Sequence, residues 1–422
     1  MTAPTRRRPF GQNYAFVVAA VIFFALLASA GLRAAPGVLM LPLERAFGWD
    51  RASISMAAGI GIFLYGLTGP FAAALMQSFG IRRTVTLALL LMSGATALST
   101  LMAAPWHYIA TWGVLSGVGT GAVAGVLGAT VVNRWFVRNR GLMLGLLTAS
   151  TATGTLVFLP LFAYLASEFG WQTVAFTVAG VTFALAPLVW LFVPDSPASI
   201  GLVPYGAADD YVPAPGVSGR NAIGNAFGAL GRASTTQTFW LLFAGFFVCG
   251  LTTNGLVGTH MIALCSERGL TQLEASGLLA VMGIFDLIGT TASGWLTDRY
   301  DPRKLLFAYY ALRGLSLIYL PFSDFSLISL NVFAVFYGLD WIATVPPTAR
   351  LANERFGDRD GPLVFGWVLV GHQAGAATAA IGAGLLHTEF GGYLEAFVLA
   401  GTAGIIAAII SLLIQRPAVA AA

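Results

Sequence analysis

The sequence predicts an all-α membrane protein with twelve transmembrane helices arranged in two pseudo-symmetric six-helix bundles. Three observations predict this fold: the composition, the spacing of the apolar segments and an internal repeat. Of the 422 residues, 57% are hydrophobic and only 9% are charged, whereas a soluble globular protein carries about 25% charged residues. Because so few charges cannot cover a water-soluble body of this size, the composition excludes a soluble enzyme.

Twelve apolar segments are long enough to cross a bilayer, which takes roughly 20 residues in a helix. We number these segments helix 1 to helix 12, and they are predicted at residues 14–43, 52–77, 84–104, 106–133, 141–166, 171–193, 238–265, 273–297, 304–322, 326–349, 362–388 and 391–415. Arg6, Arg7 and Arg8 precede the first segment. That segment is longer than the apolar core of a signal peptide, about 7–15 residues, so we expect a retained helix.

The segments divide into two sets of six. Residues 194–237, which are rich in Pro, Gly, Asp and Ser, form the one long hydrophilic connection. The predicted parts are therefore an N-terminal tail, a first bundle, a linker, a second bundle and a C-terminal tail. Their boundaries are 1–13, 14–193, 194–237, 238–415 and 416–422.

The basic residues predict the orientation. With the N-terminus inside, the cytoplasmic segments hold 17 basic residues and the outer segments hold three, Arg45, Arg51 and Arg268. Cytoplasmic loops of membrane proteins carry an excess of Lys and Arg. We therefore expect a multi-pass protein of the cell (inner) membrane with both termini in the cytoplasm. The basic residues lie in short clusters between apolar runs, so the net charge of +4 does not indicate a nucleic-acid partner.

The two halves repeat. Residues 73–83 align with residues 294–304, and Gly145 and Gly154 align with Gly366 and Gly375. Repeated halves joined by a linker place a binding site near the bilayer midplane, between the halves, where rocking exposes it to either side in turn. This is the architecture of a secondary transporter.

The loop between helices 8 and 9 carries a recognisable motif, Gly294-x3-Asp298-Arg299-x3-Arg303-Lys304. At these residues the sequence resembles the major facilitator superfamily, in which the motif occurs between helices 2 and 3 and again between helices 8 and 9. The resemblance implies that Gly294, Asp298, Arg299 and Arg303 form a cytoplasmic gate motif. The first copy departs from the pattern because Gln77 stands where Asp is expected, so we expect Asp298 to carry the main latch.

Within that superfamily the chain is similar to the monocarboxylate porter and oxalate/formate exchanger group, in its bacterial branch. The similarity is carried by the entry into helix 5, residues 135–142, and continues to Gly145, Ala149 and Gly154. Residues 42–55 and the stretch Gly201-Leu202-x-Pro204-Tyr205-Gly206 resemble the bacterial members. The resemblance implies transport of small organic anions.

Arg33 lies within helix 1, beside Pro36 and Gly37, which we expect to loosen the helix. An ionisable group at the membrane centre costs about 2.5–3.5 kcal/mol on insertion scales, so it needs a partner or water. The resemblance places helix 1 at the central cavity. Since a guanidinium binds a carboxylate through two parallel hydrogen bonds, Arg33 is predicted to anchor the substrate. The alternative is a structural pair of Arg33 with Asp340 or Asp286.

Asp286 in helix 8 matches an aspartate that the monocarboxylate porters use in proton coupling, although Thr290 stands where their arginine is expected. Burial in a medium of low dielectric constant favours the neutral acid, so we predict that Asp286 carries a proton. A structural pair with an arginine is the alternative. Arg313 in helix 9 and Asp340 in helix 10 lie at similar depth and are predicted to form a structural ion pair, with a cavity position and a proton-coupling role for Asp340 left open.

Five further polar side chains are candidates for substrate binding: Asn254, His260, Tyr65, His372 and Gln373. In the repeat Asn254 corresponds to Arg33, and Thr252, Thr253 and Gly255 beside it form a polar run that can unwind helix 7. Gly117, Gly121 and Gly125, spaced four residues apart, are interpreted as a helix-packing stripe. For each histidine and for Tyr65, ordinary packing is the alternative.

The sequence therefore predicts a secondary transporter of a small organic anion, a monocarboxylate or short dicarboxylate, coupled to protons or working by exchange. A proton-coupled exporter of drugs or other hydrophobic molecules is one alternative, and a non-transporting membrane sensor is another. Because nucleotide-binding, zinc-binding and Ser-His-Asp patterns are not evident, no enzymatic activity, cofactor or metal is expected. Cys249 and Cys265 share one apolar segment and indicate no disulfide framework. The expected partners are the substrate, protons and the lipid bilayer, and we expect a monomer.

Overall fold

The computed structural model describes residues 11–208 and 219–415. Within these ranges the chain is almost entirely helical, and a single parallel bridge joins Phe136 to Tyr205. Eleven helices of the described chain are long and apolar enough to cross a membrane. Helix 5, Arg140–Phe169, is a further helix of 30 residues, of which Leu156–Phe169 is a shorter apolar stretch. The predicted all-α membrane fold is confirmed.

The first six helices follow one another through short connections. Their bounds are Tyr14–Phe47, Arg51–Ser78, Ile81–Ser99, Pro105–Trp135, Arg140–Phe169 and Trp171–Phe192. A helix over Gly219–Ala233, here the linker helix, lies in the predicted linker. The last six helices are Gln237–Glu267, Gln272–Thr297, Pro302–Phe322, Leu327–Gly357, Asp360–Phe390 and Leu394–Leu412. The predicted N- and C-terminal tails fall mostly outside the described residues.

Local sequence fixes several helix ends. Asp50 begins helix 2 by accepting a hydrogen bond from the Ser53 backbone N–H at 2.6 Å, and Thr271 and Glu274 form a reciprocal capping box at the start of helix 8. Such caps satisfy backbone donors that have no partner within the helix. Gly48, with a φ of 68°, ends helix 1 in the left-handed conformation that glycine adopts readily.

Helix 7 and helix 10 are irregular near the middle of their spans. Helix 7 widens into a π-helical turn over Leu251–Val257, within the polar run that we expected to unwind. Helix 10 is interrupted after Asp340 and resumes at Val345. Interruptions of this kind expose backbone groups at the binding sites of transporters. Both irregular segments therefore mark the region where a site is expected.

Helix 1 differs from the expectation that Pro36 and Gly37 loosen it, because it continues without a break over Tyr14–Phe47. Gly37 has a different use. A Cβ atom on Gly37 would lie 2.9 Å from the carbonyl oxygen of Gly258. The glycine therefore permits helix 1 to pack directly on the backbone of helix 7, which brings the two halves together.

Two glycines of the predicted stripe, Gly117 and Gly121, pack helix 4 on helix 2, a partner that the sequence did not identify. Cβ atoms on Gly117 and Gly121 would lie 2.9 Å and 2.8 Å from the carbonyl oxygens of Gly61 and Tyr65. Small residues allow helix backbones in a membrane to approach closely. This contact fixes the position of Tyr65 along helix 2.

Three helix pairs join the two halves: helix 1 packs on helix 7, helix 2 on helix 11 and helix 5 on helix 8. The start of the linker is held by the first half. The backbone N–H of Tyr205 donates to Trp135 O at 2.8 Å, and that of Val137 donates to Tyr205 O at 2.9 Å. The buried Trp135 and Phe136, which carry part of the family resemblance, therefore serve to anchor the linker.

Candidate functional site

A cavity of about 290 Å³ lies between the two halves. It is lined by residues of helices 1, 2, 5, 7, 8, 10 and 11, so both halves contribute to its wall. Its polar and aromatic lining consists of Arg33, Tyr65, Asn254, Thr259, Asp286, Trp341 and Gln373. Apolar pockets with a few convergent polar groups are the usual form of a small-molecule site.

Arg33 brings a positive charge to this cavity. Its guanidinium carbon lies 4.2 Å from the centre of the Tyr65 ring, and its Nε atom is buried without a hydrogen-bond partner among the described residues. Of the ion pairs in the described part of the chain, none includes Arg33. The alternative pairing of Arg33 with Asp340 or Asp286 is therefore not formed in this structure. A cation in this position can bind an anion that enters the cavity.

Asp286 lines the same cavity from helix 8 and is only 6% exposed. Its Oδ1 atom accepts hydrogen bonds from the Ile342 backbone N–H at 2.9 Å and from the Thr290 hydroxyl at 3.0 Å. The Ile342 N–H is available because helix 10 is interrupted there. Asp286 therefore binds the open backbone of helix 10, and both of these hydrogen bonds use the same carboxylate oxygen. No arginine pairs with Asp286 in the described chain, so the alternative ion pair is not formed.

Arg313 and Asp340 are paired away from the cavity lining. Arg313 is 1% exposed, and its Nε donates to Asp340 Oδ2 at 2.7 Å. The same guanidinium donates to the backbone carbonyl of Asp340, to Trp341 O at 3.1 Å and to Cys249 Sγ at 3.0 Å. The arginine therefore holds the interruption of helix 10 from the side of helix 9, while Asp286 holds it from helix 8. Trp341, rather than Asp340, reaches the cavity.

Asn254 lies in the π-helical turn of helix 7, and Gln373 lies on helix 11; both line the cavity. The two histidines are placed differently from the cavity position expected for them. His260 is fully buried, with Nε2 2.8 Å from Ala380 O and Nδ1 3.1 Å from the Tyr393 hydroxyl. His372 packs against Phe246, with ring centres 5.2 Å apart, inside the second half.

The residues of the predicted gate motif do not join the halves in this structure, as far as the described residues extend. Arg299 folds back on its own helix, where its guanidinium carbon lies 4.1 Å from the centre of the Trp295 ring. Arg303 forms an ion pair with Asp301 at 2.7 Å. Asp298 is exposed at the end of helix 8, and Gly294 lies one turn before it.

A polar cluster that the sequence did not reveal joins the halves instead. We call it the Arg51 cluster, and it consists of Glu44, Arg51, Glu267, His387 and Tyr393. Arg51, which is 7% exposed, pairs with Glu44 at 3.2 Å and with Glu267 across the interface between the halves. Its Nη1 atom also lies 2.9 Å from His387 Nε2 and 3.1 Å from the Tyr393 hydroxyl. Arg51, which Glu44 holds within the first half, thus contacts three residues of the second half.

The Arg51 cluster closes one end of the interface. The Tyr393 hydroxyl, which faces both Arg51 and His260, connects the cluster to the interior of helix 7. The helices are close here as well, because a Cβ atom on Gly384 would lie 2.9 Å from the carbonyl oxygen of Arg51. The predicted gate motif lies at the other ends of the spans, so the two ends of the interface are held differently.

Paired six-helix halves around a polar cavity define a class of membrane proteins, the secondary transporters with alternating access. The sequence model of the Major Facilitator Superfamily matches residues 21–359 and 266–422. The chain belongs to the major facilitator superfamily and is a transporter of that family.

Several curated relatives are transporters. The chain is 25% identical over 372 residues to an uncharacterized MFS-type transporter, YcxA, of Bacillus subtilis. The alignment covers 84% of each of the two chains. It is 27% identical over 405 residues to monocarboxylate transporter 13 of Bos taurus, covering 94% of this chain and 88% of the relative. It is 26% identical over 329 residues to a gallate transporter of Pseudomonas putida. That alignment covers 72% of this chain and 70% of the relative.

Solved structures share the fold. A bacterial homologue of the human lysosomal transporter Spinster, in an inward-facing and occupied conformation, superposes with a TM-score of 0.73 at 14% identity. The alignment covers 95% of this chain and 97% of that one. At this identity the similarity shows the fold alone.

Proposed function

We propose that this transporter moves a small organic anion, a monocarboxylate or a short dicarboxylate, across the cell membrane by alternating access. The observation that carries the proposal is Arg33, a partly buried cation in the central cavity without a carboxylate partner among the described residues. A substrate carboxylate would supply the missing charge through charge-assisted hydrogen bonds. The relatives named as monocarboxylate and gallate transporters support the same class of cargo.

In this proposal Arg33 binds the carboxylate, and Tyr65 holds the guanidinium from its other side. Asn254 and Gln373, which line the cavity from the second half, provide hydrogen bonds to the rest of the substrate. Asp286 takes up a proton, which supports either proton-coupled transport or exchange. His260 and His372 have no part in the proposed site because they lie outside the cavity lining.

Substrate and proton binding would favour rocking of the bundles 14–193 and 238–415 about the linker. When the Arg51 end opens, the opposite end closes, and Asp298 and Arg299 then form the latch that the family motif implies. The excess of basic residues in alternate loops supports a position in the inner membrane with both termini in the cytoplasm. The cavity is complete within one chain, which supports a functional monomer.

Uptake by purified protein in liposomes tests this proposal. Labelled monocarboxylates, including aromatic ones, and short dicarboxylates are compared with a lipophilic cation, with and without an inward proton gradient. We expect uptake of at least one acid and none of the cation. Arg33→Gln should raise KM by roughly 10- to 100-fold, because hydrogen bonds to charged groups contribute about 1.5–3 kcal/mol.

The matched control is Arg45→Gln, which removes an exposed arginine of helix 1 outside the cavity and should transport like the wild type. An unchanged KM in the Arg33→Gln protein would remove the anchor from the proposal. Uptake of the lipophilic cation, with no uptake of any acid, would instead favour the exporter alternative.

A further inference from the structure

We propose that the Arg51 cluster is a proton-binding site, with His387 as the group that takes up the proton, and that proton binding there opens this end of the transporter. The proposal concerns the closure of one end and rests on the proposed function only in assuming alternating access. With the N-terminus in the cytoplasm, the connection between helices 1 and 2 lies outside, so this site samples the external pH.

His387 has a neighbour from each half, and the two neighbours make different demands on its ring. The Nε2 atom lies 2.9 Å from Arg51 Nη1 and 2.6 Å from Glu267 Oε1. A ring nitrogen without hydrogen can accept from the arginine, whereas one with hydrogen can donate to the glutamate. One atom cannot do both, so these two contacts compete for His387. The competition is between the first half, which holds Arg51, and the second half, which holds Glu267.

The charges determine the direction of the effect. Glu267 and His387 both belong to the second half, and together they carry one negative charge while His387 is neutral. Protonation of His387 cancels that charge, and the attraction of the second half for Arg51 then weakens. A proton therefore binds more tightly to the open form, and by linkage a proton that prefers one form shifts the equilibrium toward it.

The other groups facing His387 leave this direction unchanged. Glu44 on helix 1 pairs with Arg51 within the first half. His260 on helix 7 and the Tyr393 hydroxyl on helix 12 form a hydrogen bond with each other, and the ring centres of His387 and Tyr393 lie 4.7 Å apart. In a consistent arrangement Arg51 donates to Tyr393, Tyr393 to His260, and His260 to Ala380 O. His260 therefore uses both ring nitrogens.

Protons can reach the site from solution. The side chains of His387 and Glu267 are 15% and 29% exposed, in contrast to Arg51 at 7%. Histidine is the side chain whose ordinary charge change falls between about pH 5 and pH 8. The cluster thus has a solvent-accessible titratable group in direct contact with the arginine that joins the halves.

The test measures the distance between the halves at this end, without substrate. Ala46→Cys at the end of helix 1 and Leu273→Cys near the start of helix 8 provide exposed positions for spin labels. The native Cys249 and Cys265 are buried. A sample without the added cysteines measures any labelling of these two native residues. Label distances are recorded in lipid nanodiscs by pulsed electron resonance between about pH 5 and pH 8.

We expect the label distance to lengthen as the pH falls, and His387→Gln to remain at the short distance throughout. The matched control is His107→Gln, which replaces a histidine at the start of helix 4 whose Nδ1 accepts from Ala103 N; its response should equal that of the parent. Arg51→Gln should be open at every pH. A parent distance that does not change with pH would overturn the proposal, as would an unaltered response in the His387→Gln protein.

These distances separate the inference from the proposed function. If no organic acid is transported but the pH response depends on His387, the cargo assignment fails and the proton site stands. If acids are transported but His387→Gln has no effect on the distances, the proton site fails and the cargo assignment stands.

Discussion

Arg33 and Arg313 both lie within the spans, and their surroundings differ. Arg313 contacts a carboxylate, two backbone carbonyls and a thiol, all within the second half. Arg33 has an aromatic ring beside it and a cavity in front of it. An arginine within the membrane can therefore have either of two roles. When its hydrogen bonds are used inside one half it supports the fold, and when they face a cavity between the halves it is available to a ligand.

The largest effect is expected from removing the paired arginine. Arg313→Met leaves the buried Asp340 without its partner, and breaking a buried ion pair in this way destabilises a protein by about 3–5 kcal/mol. We expect a large loss of thermal stability for the purified protein in detergent. The double variant Arg313→Met with Asp340→Leu should recover most of that stability, because a well-packed apolar pair can replace a buried ion pair.

The double variant also separates stability from positioning. In the native protein Arg313 holds the carbonyls of Asp340 and Trp341, and these contacts are lost in both variants. Recovered stability together with poor uptake would show that the arginine also positions the cavity wall. If Arg313→Met alone melted like the wild type, the contrast between the two arginines would disappear.

Arg33 is expected to behave in the opposite way. Since no ion pair is broken in the described structure, Arg33→Gln should melt no lower than the wild type while its uptake falls. The stability is measured on the same preparations as the uptake. A drop in melting temperature as large as that of Arg313→Met would mean that Arg33 is a structural residue, and the anion anchor would have to be sought elsewhere.

The sequence predicted the helical membrane fold well because the length and hydrophobicity of each span are properties of that segment alone. It also predicted that Arg33, Asn254 and Asp286 share one region, since their helices occupy the centre of the fold. Their roles in transport stay predictions. The placement of His260 shows where such reasoning stops. Six residues after Asn254 and beyond the π-helical turn over Leu251–Val257, its ring faces the carbonyl oxygen of Ala380 and the Tyr393 hydroxyl instead of the cavity.

The Arg51 cluster could not be predicted from the sequence for a related reason. Its residues lie at the ends of helices 1, 2, 7 and 11 and the start of helix 12, and each resembles an ordinary loop residue. Only the packing of the two halves brings them within hydrogen-bond distance. A contact between halves also depends on which end is closed, and this is a property of the conformation rather than of any segment.

Asp286 should show a smaller effect than the arginines, limited to coupling. Asp286→Asn keeps an oxygen for the Ile342 N–H and the Thr290 hydroxyl, so the interruption of helix 10 should be preserved. The amide cannot exchange a proton, and the neutral side chain resembles the protonated acid. We therefore expect exchange of substrate across the membrane to continue while stimulation by an inward proton gradient is lost. Full stimulation of the variant by the gradient would exclude Asp286 as the coupling group.

The smallest effect on KM is expected from replacing Tyr65, and this replacement tests how the Arg33 guanidinium is held. Its ring lies against the guanidinium at 4.2 Å, and a cation–π contact contributes about 0.5–2 kcal/mol depending on its exposure to water. Tyr65→Leu should therefore raise KM by roughly 2- to 30-fold with little change in stability. Tyr65→Phe retains the ring and should keep the wild-type KM if the ring face alone matters. A rise in KM for Tyr65→Phe equal to that for Tyr65→Leu would assign the effect to the hydroxyl, which would then be a hydrogen-bond donor to the carboxylate beside Arg33.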